Sequence, residues 1–265
     1  MNPLRLIYPL ALREKAYFHS PYKTKQPDIA SVKLEFSPVQ LSSFLPSDHS
    51  HQEIAWLGFY ELPLSRKIAA LARDGGLLVD AGANIGYFTL IWAGLNPANR
   101  AICFEPSPSV ATMLKGNIHN AGLSSRVEVS SVALGKEAGA MPFDVGPENE
   151  SSWGGLSNGA RPGSISVKVD RLDDLISPDK TVDVLKIDAE GADSWILNGS
   201  ERLLRERRVR HLFFERNRGR MTQLGIEWDE PVRFLEDCGY RAKHLAGNAG
   251  LELLHAEPQG ITKLR

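Results

Sequence analysis

Acidic side chains stand where apolar runs end: Asp80 after Leu77–Val79, Glu105 after Ala101–Phe104, Asp188 after Val182–Ile187 and Glu215 after Val209–Phe214. The first belongs to Val79-Asp80-Ala81-Gly82-Ala83-Asn84-Ile85-Gly86-Tyr87-Phe88-Thr89-Leu90. This string follows a strand pattern and opens a helical one, the position where α/β sheets bind ligands. Its glycines are spaced Gly82-x-x-x-Gly86, not Gly-x-Gly-x-x-Gly, and no Lys-Ser/Thr follows, so neither a dinucleotide fingerprint nor a P-loop is present. A pyrophosphate wants free backbone N–H groups without a nearby negative charge. Asp80 at the strand tip suits instead a ligand bearing positive charge, such as the amino group of a methionyl moiety. Gly82 and Gly86 let the backbone approach a ligand closely, and Asn84 lies between them. Glu105, on the next strand tip, can accept hydrogen bonds from both hydroxyls of a ribose. A nucleoside with a cationic tail is S-adenosylmethionine rather than NAD.

Lys186-Ile187-Asp188-Ala189-Glu190-Gly191 supplies the other side of the expected crevice. In a doubly wound sheet the first and fourth strand tips flank one crevice. Asp188 would face the methyl group, with Lys186 two residues earlier on the same side of the strand. Methyl transfer from a sulfonium is an in-line displacement, so the acceptor must be aligned and an alcohol must lose its proton. Asp188, Glu190 and Glu215 are the acids placed to assist. A lone carboxylate is a weak base for an alcohol, which leaves orientation as the main source of rate. Asp188 with Glu190 or Glu215 could alternatively hold a divalent cation through hard oxygen ligands. The structural alternatives are a buried Lys186–Asp188 pair and a Glu190 that serves the dipole of the following helix.

These side chains need a scaffold of alternating strands and helices. Helical spacing marks Gln52–Tyr60 and Leu64–Arg73, stopped by Gly75 and Gly76. Strands are expected at Leu77–Ala81, Ala101–Glu105, Arg126–Leu134, Val182–Ile187 and Val209–Glu215. Helices are expected at Tyr87–Leu95, Pro108–Asn120, Asp193–Arg207 and Glu230–Cys238. Tyr240–Leu245 and Leu251–His255 read as a closing hairpin that adds an antiparallel edge. The fold class is α/β, a Rossmann-like doubly wound, mostly parallel sheet. Residues 1–50 show weak periodicity and read as an irregular N-terminal arm or lid before a main domain over 51–265. Between Met141 and Val169 regularity fails around Ser151-Ser152-Trp153-Gly154-Gly155, an insertion that reads as a loop and a strand near the sheet edge. Trp153 could stack on a ligand or pack in the core. Asn117 and the stretch Ser131-Val132-Ala133 fall near where an adenine would sit.

The bulk properties narrow the partners. The chain has 265 residues, 42% apolar and 24% charged, with a formal net charge of −1. That suits a globular protein with a sizeable core and offers no long-range attraction for nucleic acid or anionic membrane. Leu4–Leu12 is apolar but too short to span a bilayer. Cys103 and Cys238 lie far apart and read as two reduced thiols, consistent with a cytoplasmic protein. His49 and His51 beside Asp48 lack further spaced ligands for a metal site, but they could reach the acceptor if the arm folds over the crevice. Arg202–Arg210 is basic but interleaved with Glu201 and Glu206, as on a solvated helix face. The expected partner is a small-molecule acceptor, with a homodimer left open.

The string Val79–Leu90, the Phe104-Glu105-Pro106-Ser107-Pro108 turn, Val132-Ala133-Leu134-Gly135 and Leu185–Asp193 resemble, in order and spacing, the FkbM-type methyltransferases. The Lys186-Ile187-Asp188-x-Glu190-Gly191 strand end is the most specific of these. The resemblance implies a class I methyltransferase fold, S-adenosylmethionine as donor, and O-methylation of a hydroxyl on a sugar or secondary metabolite. It also brings Pro106 and Val132-Ala133 to the cofactor. Its Tyr-Glu pair ahead of the glycine loop matches Tyr60-Glu61, which makes Glu61 a cofactor contact. The rival readings are N-methylation of an amine, a nicotinamide-dependent oxidoreductase, and a non-catalytic cofactor-binding protein.

Overall fold

The computed structural model of the protein describes residues 2–147, 150 and 153–260; Ser151 and Ser152 of the glycine-rich insertion lie outside them. Where weak periodicity suggests an irregular arm, the chain forms α1 (Leu10–Phe18), a short antiparallel pair β1 (Val32–Lys33) and β2 (Gln40–Leu41), and α2 (His49–Leu57). Leu4, Tyr17, Val32, Leu34 and Leu41 are buried in one apolar cluster with Leu78, Ile91 and Trp92 of the main body. Arg13 fixes this segment. It is fully buried, donates to the carbonyls of Ile7 and Leu57 and pairs with Glu35 at 2.8 Å. A buried guanidinium is tolerated only with such partners. Asp48 caps α2 by accepting from the His51 amide, and Gly58 ends it in the left-handed conformation.

The main sheet follows: α3 (Leu62–Leu71), β3 (Leu77–Ala81), α4 (Tyr87–Leu95), β4 (Arg100–Phe104), α5 (Pro108–Asn120) and β5 (Val127–Ser130). The expected third strand, Arg126–Leu134, divides after Ser130. Ala133–Leu134 forms β6, which turns away to a second sheet. The division is driven by Leu134, which buries itself with Ile196 rather than continuing along the main sheet. That second sheet, ordered β6-β9-β7-β8, is built from the insertion: β7 (Gly139–Asp144), β8 (Gly155–Leu156) and β9 (Ile165–Asp170).

After α6 (Leu172–Leu175) and β10 (Val182–Ile187), the expected helix Asp193–Arg207 breaks into α7 (Asp193–Asn198) and α8 (Glu201–Arg205). Gly199 sits at the break with the Gly135 carbonyl packed onto it. The buried Asp173 carboxylate accepts from the Arg202 and Leu203 amides and so caps α8. The remainder is β11 (Val209–Asn217), α9 (Arg218–Leu224), α10 (Glu230–Asp237), β12 (Tyr240–Asn248) and β13 (Leu251–Pro258). α9 has no counterpart in the sequence reading.

The main sheet runs β12-β13-β11-β10-β3-β4-β5. β5, β4, β3, β10 and β11 are mutually parallel. β13 is antiparallel to both β11 and β12. The closing hairpin β12–β13 therefore forms the expected antiparallel edge, with the reversed strand β13 one position inside it and β12 outermost. The parallel strands carry apolar residues on both faces and are covered by helices, as parallel sheets must be. Both cysteines are buried and free. No helix among the described residues is long and apolar enough to cross a membrane.

Candidate active site

The parallel strands end on one side, and the sequence-predicted residues gather there. Sheet register sets Asp80 directly beside Lys186. The loop after β3 turns at Gly82 (φ 73), Asn84 (φ 48) and Gly86 (φ 87). The Gly82 and Ala83 amides donate to the Phe104 carbonyl at 3.0 and 3.1 Å, tying the loop to the tip of β4.

Beyond that tip stands Glu105, nearly buried. Its Oε2 accepts from the Asn84 amide at 3.0 Å and its Oε1 from the Ser107 amide at 2.9 Å. Burial pushes its pKa up to about 7, against the lowering effect of those two donors. The carboxylate thus has a fixed orientation and keeps lone pairs for further donors. It lines a cavity together with Pro106, Val132, Ala133 and apolar Phe104 and Leu134. Phe143 and Gly154–Leu156 of the insertion close the same cavity. Ser131 is exposed and does not line it, unlike its two neighbours.

Asp80 does not point into the crevice. It is fully buried; Thr89 Oγ1 donates to its Oδ2 at 2.7 Å, and Lys186 Nζ stands 3.6 Å from Oδ1. Lys186 is the hub. Its Nζ donates to the Gly82 carbonyl and to Asp188 Oδ2, both at 3.1 Å, over the ring of Phe88. Burial disfavours its charge, but Asp188, Asp80 and Glu61 together outweigh that and raise its pKa above the usual value.

Asp188 retains 28% exposure of its side chain. It lines the Glu105 cavity, a second beside the glycine loop and a third on the side of β11. The second lies between α2 and the glycine loop, walled by Ser50, His51, Tyr60, Phe88 and Lys186. His51 is buried, which lowers its pKa. Its Nδ1 accepts from the Leu45 amide, which leaves Nε2 to donate to Asn84 Oδ1 at 3.2 Å. The exposed His49 lies instead 3.2 Å from Glu150.

The third cavity is acidic. Glu61, Asp188, Glu190 and Glu215 line it, with Arg220 and the exposed Trp153. Burial first, then the charge of Asp188, raise Glu190 to about 8 and Glu61 to about 7, and Glu215 well above the ordinary carboxylate range. Glu61 and Glu215 act on each other across this cavity, and burial holds both carboxyls toward the protonated form. Glu61, read from sequence with the cofactor group, lines the same cavity as Asp188, Glu190 and Glu215. Buried Asp193 accepts from the Ala189 and Glu215 amides, joining the β10 tip to β11.

Sequence reasoning missed Arg220 and the structural role of Asp193, whereas His51, a candidate from sequence, does stand at the crevice. Arg220 sits on the unanticipated α9 and donates from Nε to the Glu190 carbonyl. No spacing signal marks either role. Asn117 is not a cavity residue. It accepts from the Ser43 amide and donates to the Ile85 carbonyl, pinning the N-terminal segment to the glycine loop. Among the described residues, the acids at this crevice do not form a group of three ligands tight enough for one ion.

Comparison with known proteins gives a match of residues 80–242, more than half the chain, to the methyltransferase FkbM domain. A protein of Beauveria bassiana described as methyltransferase 1 is 28% identical over 149 residues, 48% of this chain and 59% of that protein. The 2-O-methyltransferase NoeI of Sinorhizobium fredii is 26% identical over 159 residues, 53% of this chain and 64% of that protein. The matched segment thus spans less than two thirds of either relative. Among solved structures, a putative rRNA-methylase from Clostridium thermocellum is 12% identical, with 74% of this chain and 94% of that chain covered at a TM-score of 0.48.

Proposed function

Because this chain belongs to the FkbM methyltransferase family, we propose that it moves a methyl group from S-adenosylmethionine to a hydroxyl oxygen of a small molecule, a sugar or hydroxylated secondary metabolite. The observation that carries the reading is the position of Asp188, on the wall of the two cavities beside the glycine loop and of the acidic cavity as well.

The residues present fit the donor. Glu105 keeps acceptor capacity on both oxygens for the ribose hydroxyls, and Phe104, Val132 and Leu134 provide an apolar slot for adenine. The second cavity, bounded by Ala83, Asn84, Lys186 and Asp188, suits a zwitterionic amino-acid tail. When bound, the donor supplies a methyl group on a sulfonium, open to in-line displacement. Asp80 acts through Lys186: by holding the ammonium, it fixes both Asp188 and the Gly82 carbonyl. Asp188 orients the acceptor hydroxyl by accepting its hydrogen bond. Glu61 and Glu215, whose carboxyls burial shifts toward the protonated form, can donate to the acceptor's other hydroxyls, and whichever is ionised can take up the released proton.

The protonated acids favour a hydroxyl over an amine. An amine entering this cavity would be held as an ammonium, with its lone pair occupied. Calorimetry with S-adenosylhomocysteine, NAD and NADP tests the donor, with binding expected for the first only. Glu105→Gln is expected to weaken S-adenosylhomocysteine by about 1.5–3 kcal/mol through loss of a charge-assisted partner; parental affinity removes Glu105 from the site. A mass-shift screen of hydroxylated and amino compounds tests the acceptor, and methylation of amines alone would reverse the assignment to oxygen.

A further inference from the structure

At the end of the sheet remote from the crevice, β11 and β13 set His211, His255 and Glu257 on one face. Phe213 pairs with His255 in the register and Leu212 with Ala256, which brings His211 level with Glu257. His211 Nδ1 lies 3.1 Å from His255 Nε2 and 3.2 Å from Glu257 Oε1. One ligand atom from each of the three falls within 4.8 Å of the others.

From this geometry we infer that His211, His255 and Glu257 form a binding site for a divalent transition-metal ion of zinc type, with a fourth position open to water. Ligands on a tetrahedral ion with bonds of about 2.0–2.1 Å stand about 3.3–3.4 Å apart. The two measured separations are already close to that value. Two imidazoles and a carboxylate are also the donor set that such an ion takes.

The ligands are held in place. The His255 ring stacks on Phe213 with centroids 4.4 Å apart and planes 12° from parallel, and on His211 at 5.3 Å and 30°. The site is also reachable, since the His211 and Glu257 side chains are 24% and 43% exposed. Lys67 and Lys243 act on the same locus with positive charge, which keeps the affinity modest. An ion here clamps the reversed strand β13 to β11, so its effect falls on stability rather than on the crevice.

The test uses full-length protein freed of metal with a chelator, titrated with zinc sulfate by calorimetry and followed by thermal unfolding. One ion is expected per chain, with an unfolding temperature several degrees higher. His255→Gln and Glu257→Gln are each expected to lose at least about tenfold in zinc affinity, since loss of a ligand exceeds loss of an outer-shell partner, and to show no rise in unfolding temperature. Cobalt(II) is expected to give the intense visible bands of a four-coordinate site in the parent protein. Absence of zinc uptake, or uptake unchanged in both variants, overturns the assignment; the latter would place the ion elsewhere, such as among the crevice acids. Should His255→Gln fail to fold, Glu257→Gln and the cobalt spectrum decide it.

Discussion

The carbonyl oxygen of Asp188 occupies the space that a side chain on Gly82 would need. The strand tips are joined at this point. The Asp188 amide donates to the Ala81 carbonyl, and Lys186 Nζ donates to the Gly82 carbonyl. Gly82→Ala therefore sets Cβ against backbone, and the tip of β10 has to move. Gly86 is a built-in comparison. Both glycines have positive φ, so an alanine at either pays the left-handed strain of about 1–2 kcal/mol. A Cβ on Gly86, however, would meet only the flexible Leu114 Cδ1 at 2.6 Å. Denaturant unfolding is expected to show Gly82→Ala less stable than Gly86→Ala by about 1–3 kcal/mol, the usual range for overpacking. Equal losses would mean that the β10 tip yields freely.

The protein is expected to lose stability as pH rises from 5 to 9, opposite to the usual behaviour of carboxylates. Burial first, then the charges of Glu14 and Glu61, raise Glu53 on α2 from 4.5 to about 8. A folded value above the unfolded one means that the contribution is fully present below about pH 4.5 and is lost as pH climbs through about 8. Each pH unit crossed in that window removes up to about 1.4 kcal/mol. Glu53→Gln stays neutral, so its unfolding temperature should exceed the parent's by several degrees at pH 8.5, with little difference at pH 5. A parent whose unfolding temperature climbs steadily to pH 9, or a variant that gains nothing at pH 8.5, contradicts this.

How much of this was legible in the sequence differs by residue. Periodicity placed β3, α4, α5 and β10 at their observed bounds, because each is one apolar run between clear stop signals. The break at Gly199 was hidden, since it depends on a carbonyl from Gly135, distant in the chain. Glu105 was legible as a buried carboxylate beside the glycine loop, because it directly follows the apolar run of the second strand. Asp80 was read at the right locus but aimed wrongly: its orientation is set by Thr89 on the next helix and Lys186 on the neighbouring strand. Glu61 precedes the glycine loop in sequence, and only the fold brings it to the cavity that Glu190 and Glu215 also line. Arg220 depends on α9, whose short run Arg218–Leu224 is too brief to show a period.

Asp188→Asn separates orientation from scaffolding. The amide oxygen still accepts from Lys186 Nζ, and the position is partly exposed, so folding and S-adenosylhomocysteine affinity should stay near parental. Turnover of a methylated acceptor, once found by the mass-shift screen, is expected to fall about a hundredfold or more, the usual consequence of a misplaced reacting atom or a lost proton acceptor. Lys186→Met is the counter-case. It leaves Asp80 buried with Thr89 as its side-chain donor and no facing ammonium. Removing one partner of a buried pair costs about 3–5 kcal/mol, so this variant should lose stability and activity together. The two variants thus differ in kind: one keeps its unfolding temperature and loses kcat, the other loses both. Parental kcat in Asp188→Asn, or a loss that merely follows the unfolded fraction, would leave Asp188 as a structural partner of Lys186 and nothing more.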